Sequence, residues 1–297
     1  MFKRFLITVA VMLAAPTAAQ SPSFRALAAA RTSVSAPTLV ERYGADATRS
    51  GELRVPPGRG PFPVAVLVHG GCWLAAMDDK SGLAPLAQAL AARGIATWNI
   101  EYRRIGQEGA GWPGTFEDVA AGVDHLRALA RRYPLDLSRL TYIGHSSGAH
   151  LALWAASRHR LSRSFGHSPA LRPVSAVVID GPGTLAPLIG VDRQVCGRDV
   201  IVPLMGGTPA ERPEAYRLAT PADNLPLGLR QIFVPADLAG LMRDYIEASR
   251  ASGDEVQVLT REGADHFNVL VPSNPIGAAV VDLIVAQAFP ERSRPRH

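Results

Sequence analysis

Three short stretches carry residue types at spacings that could do nucleophilic chemistry. The first is Gly144-His145-Ser146-Ser147-Gly148, set behind the apolar run Thr141-Tyr142-Ile143 and ahead of Leu151-Ala152-Leu153-Trp154. A serine hydroxyl is a poor nucleophile unless the chain holds it clear of its surroundings, beside a base and near hydrogen-bond donors. A G-x-S-x-G turn between a strand and a helix does this. The glycines remove Cβ atoms that would clash in so sharp a turn, Ser146 stands at its tip, and the free N–H groups of the helix start face the oxyanion that develops on attack. The second stretch is His69-Gly70-Gly71-Cys72-Trp73, directly after Val64-Ala65-Val66-Leu67-Val68. Glycines there let backbone amides approach a ligand and complete an oxyanion hole. The third is Gly263-Ala264-Asp265-His266-Phe267, following Glu255-Val256-Gln257-Val258-Leu259, which puts a histidine on a loop past a strand end.

Together these assign Ser146 as nucleophile and His266 as the base that takes its proton and later returns it to the leaving group. The expected oxyanion donors are the backbone N–H groups of Ser147, Gly71 and Cys72. The acid that orients the histidine is expected beyond the strand before the histidine strand, where Val234-Pro235-Ala236-Asp237 offers Asp237. Its rivals are Asp180, just past the preceding strand, and Asp265, which would have to fold back on its neighbour. His69 reads as structuring its glycine loop, and His145 and His150 as structural neighbours of the turn. No His or Cys cluster has metal-ligand spacing, and nothing calls for a cofactor.

Strands and helices alternate around these stretches. Leu83 to Arg93 has a helical pattern closed by Gly94, Ile95 to Ile100 is strand-like, and Thr115 opens a helix. Val174 to Ile179 and Gln231 to Val234 are further strands, and helices are expected from about Ala239 to Ser252 and from about Pro275 to Ala288. This alternation gives an α/β fold, a mostly parallel central sheet with helices on both faces. The order oxyanion loop, nucleophile, acid, histidine is that of the α/β-hydrolase fold. The hydrolase domain is expected over residues 39–290. The irregular, Pro- and Gly-rich residues 184–227 form an excursion lining the substrate site, residues 20–38 a leader of low order, and residues 291–297 a basic tail.

The N-terminus reads as an address. Lys3 and Arg4 precede the apolar run Phe5 to Leu13, and Pro16-Thr17-Ala18-Ala19 follows, the pattern of a secretory signal over residues 1–19 cleaved after Ala19. The run is short for a membrane span, so the mature protein is expected in the periplasm or outside the cell, with no stable membrane span. In an oxidising compartment the two cysteines of the chain, Cys72 and Cys196, can pair across the rim of the site. The formal charge of +5 comes from arginines scattered in short groups, which argues against a nucleic-acid partner.

Across residues from about Leu39 to Pro290 the chain resembles α/β-hydrolases of the carboxylesterase/lipase type with an HGG-x-W oxyanion motif, a group that includes feruloyl/acetyl-xylan esterase-like and kynurenine formamidase-like proteins. The resemblance rests on the three stretches above with Tyr102-Arg103-Arg104 and Gly206-Gly207-Thr208-Pro209. It implies cleavage of a small carboxylic ester, or of an amide such as a formamide, through an acyl-enzyme. An arylformamidase or a peptidase would use the same triad, and a hydrolase-fold binding protein with decayed catalysis is the reading from another class. Relatives usually carry a longer loop after the acid strand. Here Pro235-Ala236-Asp237-Leu238-Ala239 passes straight into a helix, which puts the place of Asp237 in question.

Overall fold

The computed structural model describes residues 21–163, 165–166 and 169–289. The expected signal sequence and the basic tail lie outside the described residues.

Eight strands form one sheet: β1 (Leu39–Arg42), β2 (Ser50–Arg54), β3 (Phe62–Val68), β4 (Ala96–Ile100), β5 (Leu135–His145), β6 (Ser175–Ile179), β7 (Arg230–Val234) and β8 (Val256–Val258). Their order is β1-β2-β4-β3-β5-β6-β7-β8. The β1–β2 and β2–β4 pairings are antiparallel, and every pairing from β4–β3 onward is parallel. The interior strands β4 and β6 are buried along their whole length, as strands covered on both faces must be.

Alternation along β3 shows how the two faces are filled. Ala65 and Leu67 point into a core shared with helices α1 (Pro22–Thr32), α2 (Ala84–Ala92) and α6 (Pro275–Gln287), whereas Val64, Val66 and Val68 point into the opposite core. That second core holds α3 (Gly114–Asp124), α4 (Ser147–Ser157), α5 (Ala239–Ala251) and the residues 184–227 excursion, whose short helices are Asp192–Cys196, Ile201–Met205 and Pro213–Ala219. Because β3, β5, β6 and β7 run in parallel, their C-terminal tips lie side by side along one rim. The His69–Trp73 loop, the Ser146 turn, Asp180 and the turn carrying Asp237 all start from that rim. No helix among the described residues is long and apolar enough to cross a membrane.

The expectation of a low-order leader over residues 20–38 needs correction, because Pro22–Thr32 is an ordered helix. Ser21 caps it by accepting the Phe24 N–H (3.1 Å), Pro22 opens its first turn, and Leu27 is buried against α2 and α6. Burial of Leu27 and the pairing of Arg31 with Asp78 (3.0 Å) hold the helix on the domain.

Candidate active site

The serine turn has the geometry its motif requires. β5 ends at His145, and Ser146 has φ 54° and ψ −126°, outside the regions a non-glycine residue ordinarily occupies. α4 begins at the next residue, so the Ser147 N–H has no carbonyl one turn back to take it. Gly148 shows why the motif needs glycine. A Cβ there would stand 2.1 Å from the Val68 carbonyl oxygen and 2.2 Å from that of His69, both main-chain atoms that cannot yield.

Opposite the turn, Gly71, Cys72 and Trp73 have φ of 97°, 54° and 55°. Among the described residues the non-glycine positions with positive φ are Cys72, Trp73, Ser146 and Asp180, and all four belong to this site. Strain of this kind persists only where the surroundings over-determine it. Here they do. The Trp73 N–H donates to Ser147 Oγ (3.3 Å), tying the loop to the helix start. A disulfide joins Cys72 to Cys196 with Cα atoms 5.9 Å apart, tying the loop to the residues 184–227 excursion. Behind the loop His69 donates from Nδ1 to the Gly70 carbonyl (2.8 Å), meets the Glu101 carboxylate at Nε2 (2.9 Å) and stacks on Tyr102. Burial works against the charge of Glu101, but the hydrogen bond and charge of His69, with Arg104, hold its carboxyl below the usual range. Burial pushes the Tyr102 phenol up, so it stays protonated and donates to the His69 carbonyl (2.7 Å). The gly-rich loop is therefore a rigid support for its amides.

His266 meets a carboxylate, but from a different strand tip than expected. Its Nδ1 lies 2.7 Å from Asp180 Oδ2, while Asp180 Oδ1 accepts the N–H groups of Ala236 (2.7 Å) and Leu238 (2.9 Å). Asp180 is completely buried and follows β6 directly. The assignment of Asp237 as orienting acid is corrected accordingly. Asp237 is exposed on the short turn between β7 and α5, and its carboxylate accepts the backbone N–H of His266 (3.1 Å) rather than the ring. The cause is the trimmed loop. With only Pro235 to Leu238 between strand and helix, the turn cannot lift a carboxylate over the ring, and its amides serve Asp180 instead. Asp265 is also set aside, since its Oδ1 accepts the Phe267 (2.9 Å) and Asn268 (2.8 Å) N–H groups and shapes the histidine loop. A carboxylate only accepts, so the Nδ1 of His266 carries hydrogen and the neutral ring keeps its lone pair on Nε2.

Two more histidines fix this arrangement. The His145 ring lies tilted against His266, with ring centroids 4.4 Å apart and planes at 44°, and its Nε2 donates to the His266 carbonyl (2.8 Å). Burial, reinforced by the charge that His266 can carry, pushes the His145 pKa well down and keeps it a neutral donor. His150 donates from Nε2 to the Ala219 carbonyl (2.9 Å), and burial lowers its pKa to about 4.

Ser146 opens onto two connected clefts. One, a narrow cleft, is lined by Ser147, Trp73, the Cys72–Cys196 bridge, Leu188 and Ile201 and is almost wholly apolar. The other, with a volume of about 270 Å³, is bounded by His266, Phe267, Phe24, Met77, Asp78 and Asp237. Ser146 and His266 thus face one space, with the oxyanion loop beside it.

Known proteins supply an independent view. The BD-FAE family matches residues 53–225 of the chain. Esterase LipC of Mycobacterium tuberculosis is 28% identical over 228 residues, covering 71% of this chain and 54% of its own. Esterase EstD of Thermotoga maritima is 29% identical over 136 residues, covering 44% of this chain and 32% of its own. The chain thus spans about a third to about half the length of these curated relatives. Among solved structures, esterase B of Lactobacillus rhamnosis superposes with a TM-score of 0.72 at 16% identity, covering 89% of this chain and 91% of its own. A bifunctional GH43-CE protein of Bacteroides eggerthii gives 0.67 at 24% identity, over 84% of this chain and 37% of its own. At these identities the superpositions establish the α/β-hydrolase fold.

Proposed function

We infer, for a chain that belongs to the BD-FAE family and has the α/β-hydrolase fold, that it is a serine esterase whose triad is Ser146, His266 and Asp180. The observation that carries this reading is the 2.7 Å bond from His266 Nδ1 to the buried carboxylate of Asp180, on a ring that shares its cleft with Ser146. A carboxylate within reach of that nitrogen supports an enzyme over a hydrolase fold with decayed catalysis. The names of the relatives, esterases from two bacteria, point the same way.

The reaction follows from the groups present. Ser146 Oγ attacks the ester carbonyl carbon as its proton passes to His266 Nε2, and Asp180 steadies the imidazolium that results. The carbonyl oxygen becomes an oxyanion facing the N–H group of Ser147 and those of Gly71 and Cys72 on the braced loop. Collapse of this intermediate breaks the bond to the alcohol oxygen, which takes the proton from Nε2. Water then attacks the acyl-enzyme by the same route and releases the acid. The cleft beside Ser147 is narrow and almost wholly apolar, which suits a short acyl group. Export through the N-terminal segment remains part of this proposal, and it fits a disulfide at the rim of the site.

The test is reaction of the purified protein with a fluorophosphonate probe, followed by intact mass and by hydrolysis of 4-nitrophenyl acetate. One phosphonyl group per chain, absent in Ser146→Ala together with turnover, is the expected result. Wild type that neither reacts with the probe nor hydrolyses the ester would remove the esterase reading.

A further inference from the structure

We propose that helix α1, through Phe24, is the leaving-group specificity element of this site and selects esters of aromatic alcohols. The inference deepens the triad reading above and rests on it. His266 must hand its proton to the departing alcohol oxygen, so the alcohol lies on the His266 side of Ser146. That side is the cleft bounded by Phe24, Phe267 and Met77.

Phe24 meets Phe267 edge-on, with ring centroids 5.1 Å apart and planes at 78°. Phe267 in turn meets His266 edge-on, at 5.1 Å and 79°. The two phenylalanine rings therefore continue the surface of the base outward along the path of the alcohol. Edge-to-face pairs are favoured by the ring quadrupole, and a third ring in the substrate can extend the same pattern.

Phe24 is held there from several directions. The Ser21 cap fixes the helix start, Leu27 is buried in the core one turn on, and Arg31 in the last turn pairs with Asp78 (3.0 Å) on the segment after the oxyanion loop. The acidic groups of this cleft also have partners. Asp78 meets Arg31, and Asp237 accepts the His266 N–H. The surface left for the alcohol is chiefly apolar and lined by aromatic edges and faces, bordered by carboxylates that would repel an anionic substituent. A neutral aromatic alcohol fits it.

The experiment compares benzyl acetate with ethyl acetate. Both release primary alcohols of similar reactivity and leave the same acetyl-enzyme, so their ratio reports on binding of the alcohol portion. For wild type, kcat/KM is expected to favour benzyl acetate about tenfold, the scale of one well-placed aromatic contact. In Phe24→Ala that ratio should fall to about twofold, chiefly through KM, and Phe24→Tyr should restore it. Equal losses on both esters in Phe24→Ala would assign Phe24 a structural role only and overturn the proposal, as would a wild type without preference. A wild type inert to both esters and to the fluorophosphonate would overturn the triad reading along with it.

Discussion

Replacing Asp180 and Asp237 in turn by asparagine separates the two carboxylates that could orient His266. Asp180→Asn preserves volume, and its amide oxygen can still accept the Ala236 and Leu238 N–H groups, at 2.7 and 2.9 Å in the native protein. The NH2 group then faces His266 Nδ1, where a carboxylate oxygen stood at 2.7 Å. An amide hydrogen needs a lone pair, so the imidazole hydrogen moves to Nε2 and, in the proposed triad, the ring has no lone pair left to take the Ser146 proton. The imidazolium formed during attack also loses its counter-charge. Substitution of the acid in such a triad lowers kcat by about 10⁴, or about 5.4 kcal/mol of transition-state stabilisation. Asp237→Asn should behave differently. Its amide oxygen still accepts the His266 backbone N–H, and a hydrogen bond there contributes about 1 kcal/mol, so the expected loss is below about tenfold. The assay is kcat for 4-nitrophenyl acetate together with the rate of fluorophosphonate labelling, with thermal melting to confirm that both variants fold. A loss of 10³-fold or more in Asp237→Asn with Asp180→Asn near wild type would refute the reasoning about which strand tip serves the ring.

Two other perturbations test the supports of the site. Cys72→Ala with Cys196→Ala opens a loop spanning 124 residues, so the melting temperature should fall by an amount equivalent to about 2–5 kcal/mol, and kcat/KM should fall with it as the oxyanion loop loosens. Unaltered kinetics and melting in that double variant would show that the loop is held without the bridge. Acid stability tests His150: its pKa is lowered to about 4 in the folded protein, so the unfolded chain binds the extra proton first. Stability is then full above the unfolded value near 6.5 and is lost as pH falls towards 4, by about 3 kcal/mol from this group. His150→Gln, which keeps a donor for the Ala219 carbonyl, should flatten the decline in chemical denaturation measured from pH 7 to pH 4. An identical slope in the variant would remove His150 as its source.

What was legible in the sequence, and what was not, follows from the range of each constraint. The Ser146 turn and the loop after His69 were readable because glycine at Gly144, Gly148, Gly70 and Gly71 answers a local need for close approach or positive φ, and such needs show in a few consecutive residues. The parallel sheet was readable too, since strands buried on both faces are apolar throughout. The acid was not fixed in this way. β6 and β7 are neighbours in register, so Asp180 and Asp237 start from adjacent tips, and motif order alone admits either one. The deciding quantity is the length of the turn after β7, four residues from Pro235 to Leu238 before the helix begins. A turn that short leaves its backbone amides pointing at its neighbour, and a carboxylate on the neighbouring tip is the group that accepts them. Helix α1 escaped for a related reason. Ser21 followed by Pro22 is a helix-start signal, but a strip of Ala and Ser has little apolar face of its own, and Phe24, Leu27 and Arg31 acquire meaning only through Phe267, the α2–α6 core and Asp78, all remote in the chain. The strained residues make the same point from the other side. Cys72, Trp73, Ser146 and Asp180 are ordinary residue types for their surroundings, and nothing in their identity announces a positive φ. They hold it because the loop, the elbow and the acid brace one another, which is why a change at any one of them should be felt at the other two.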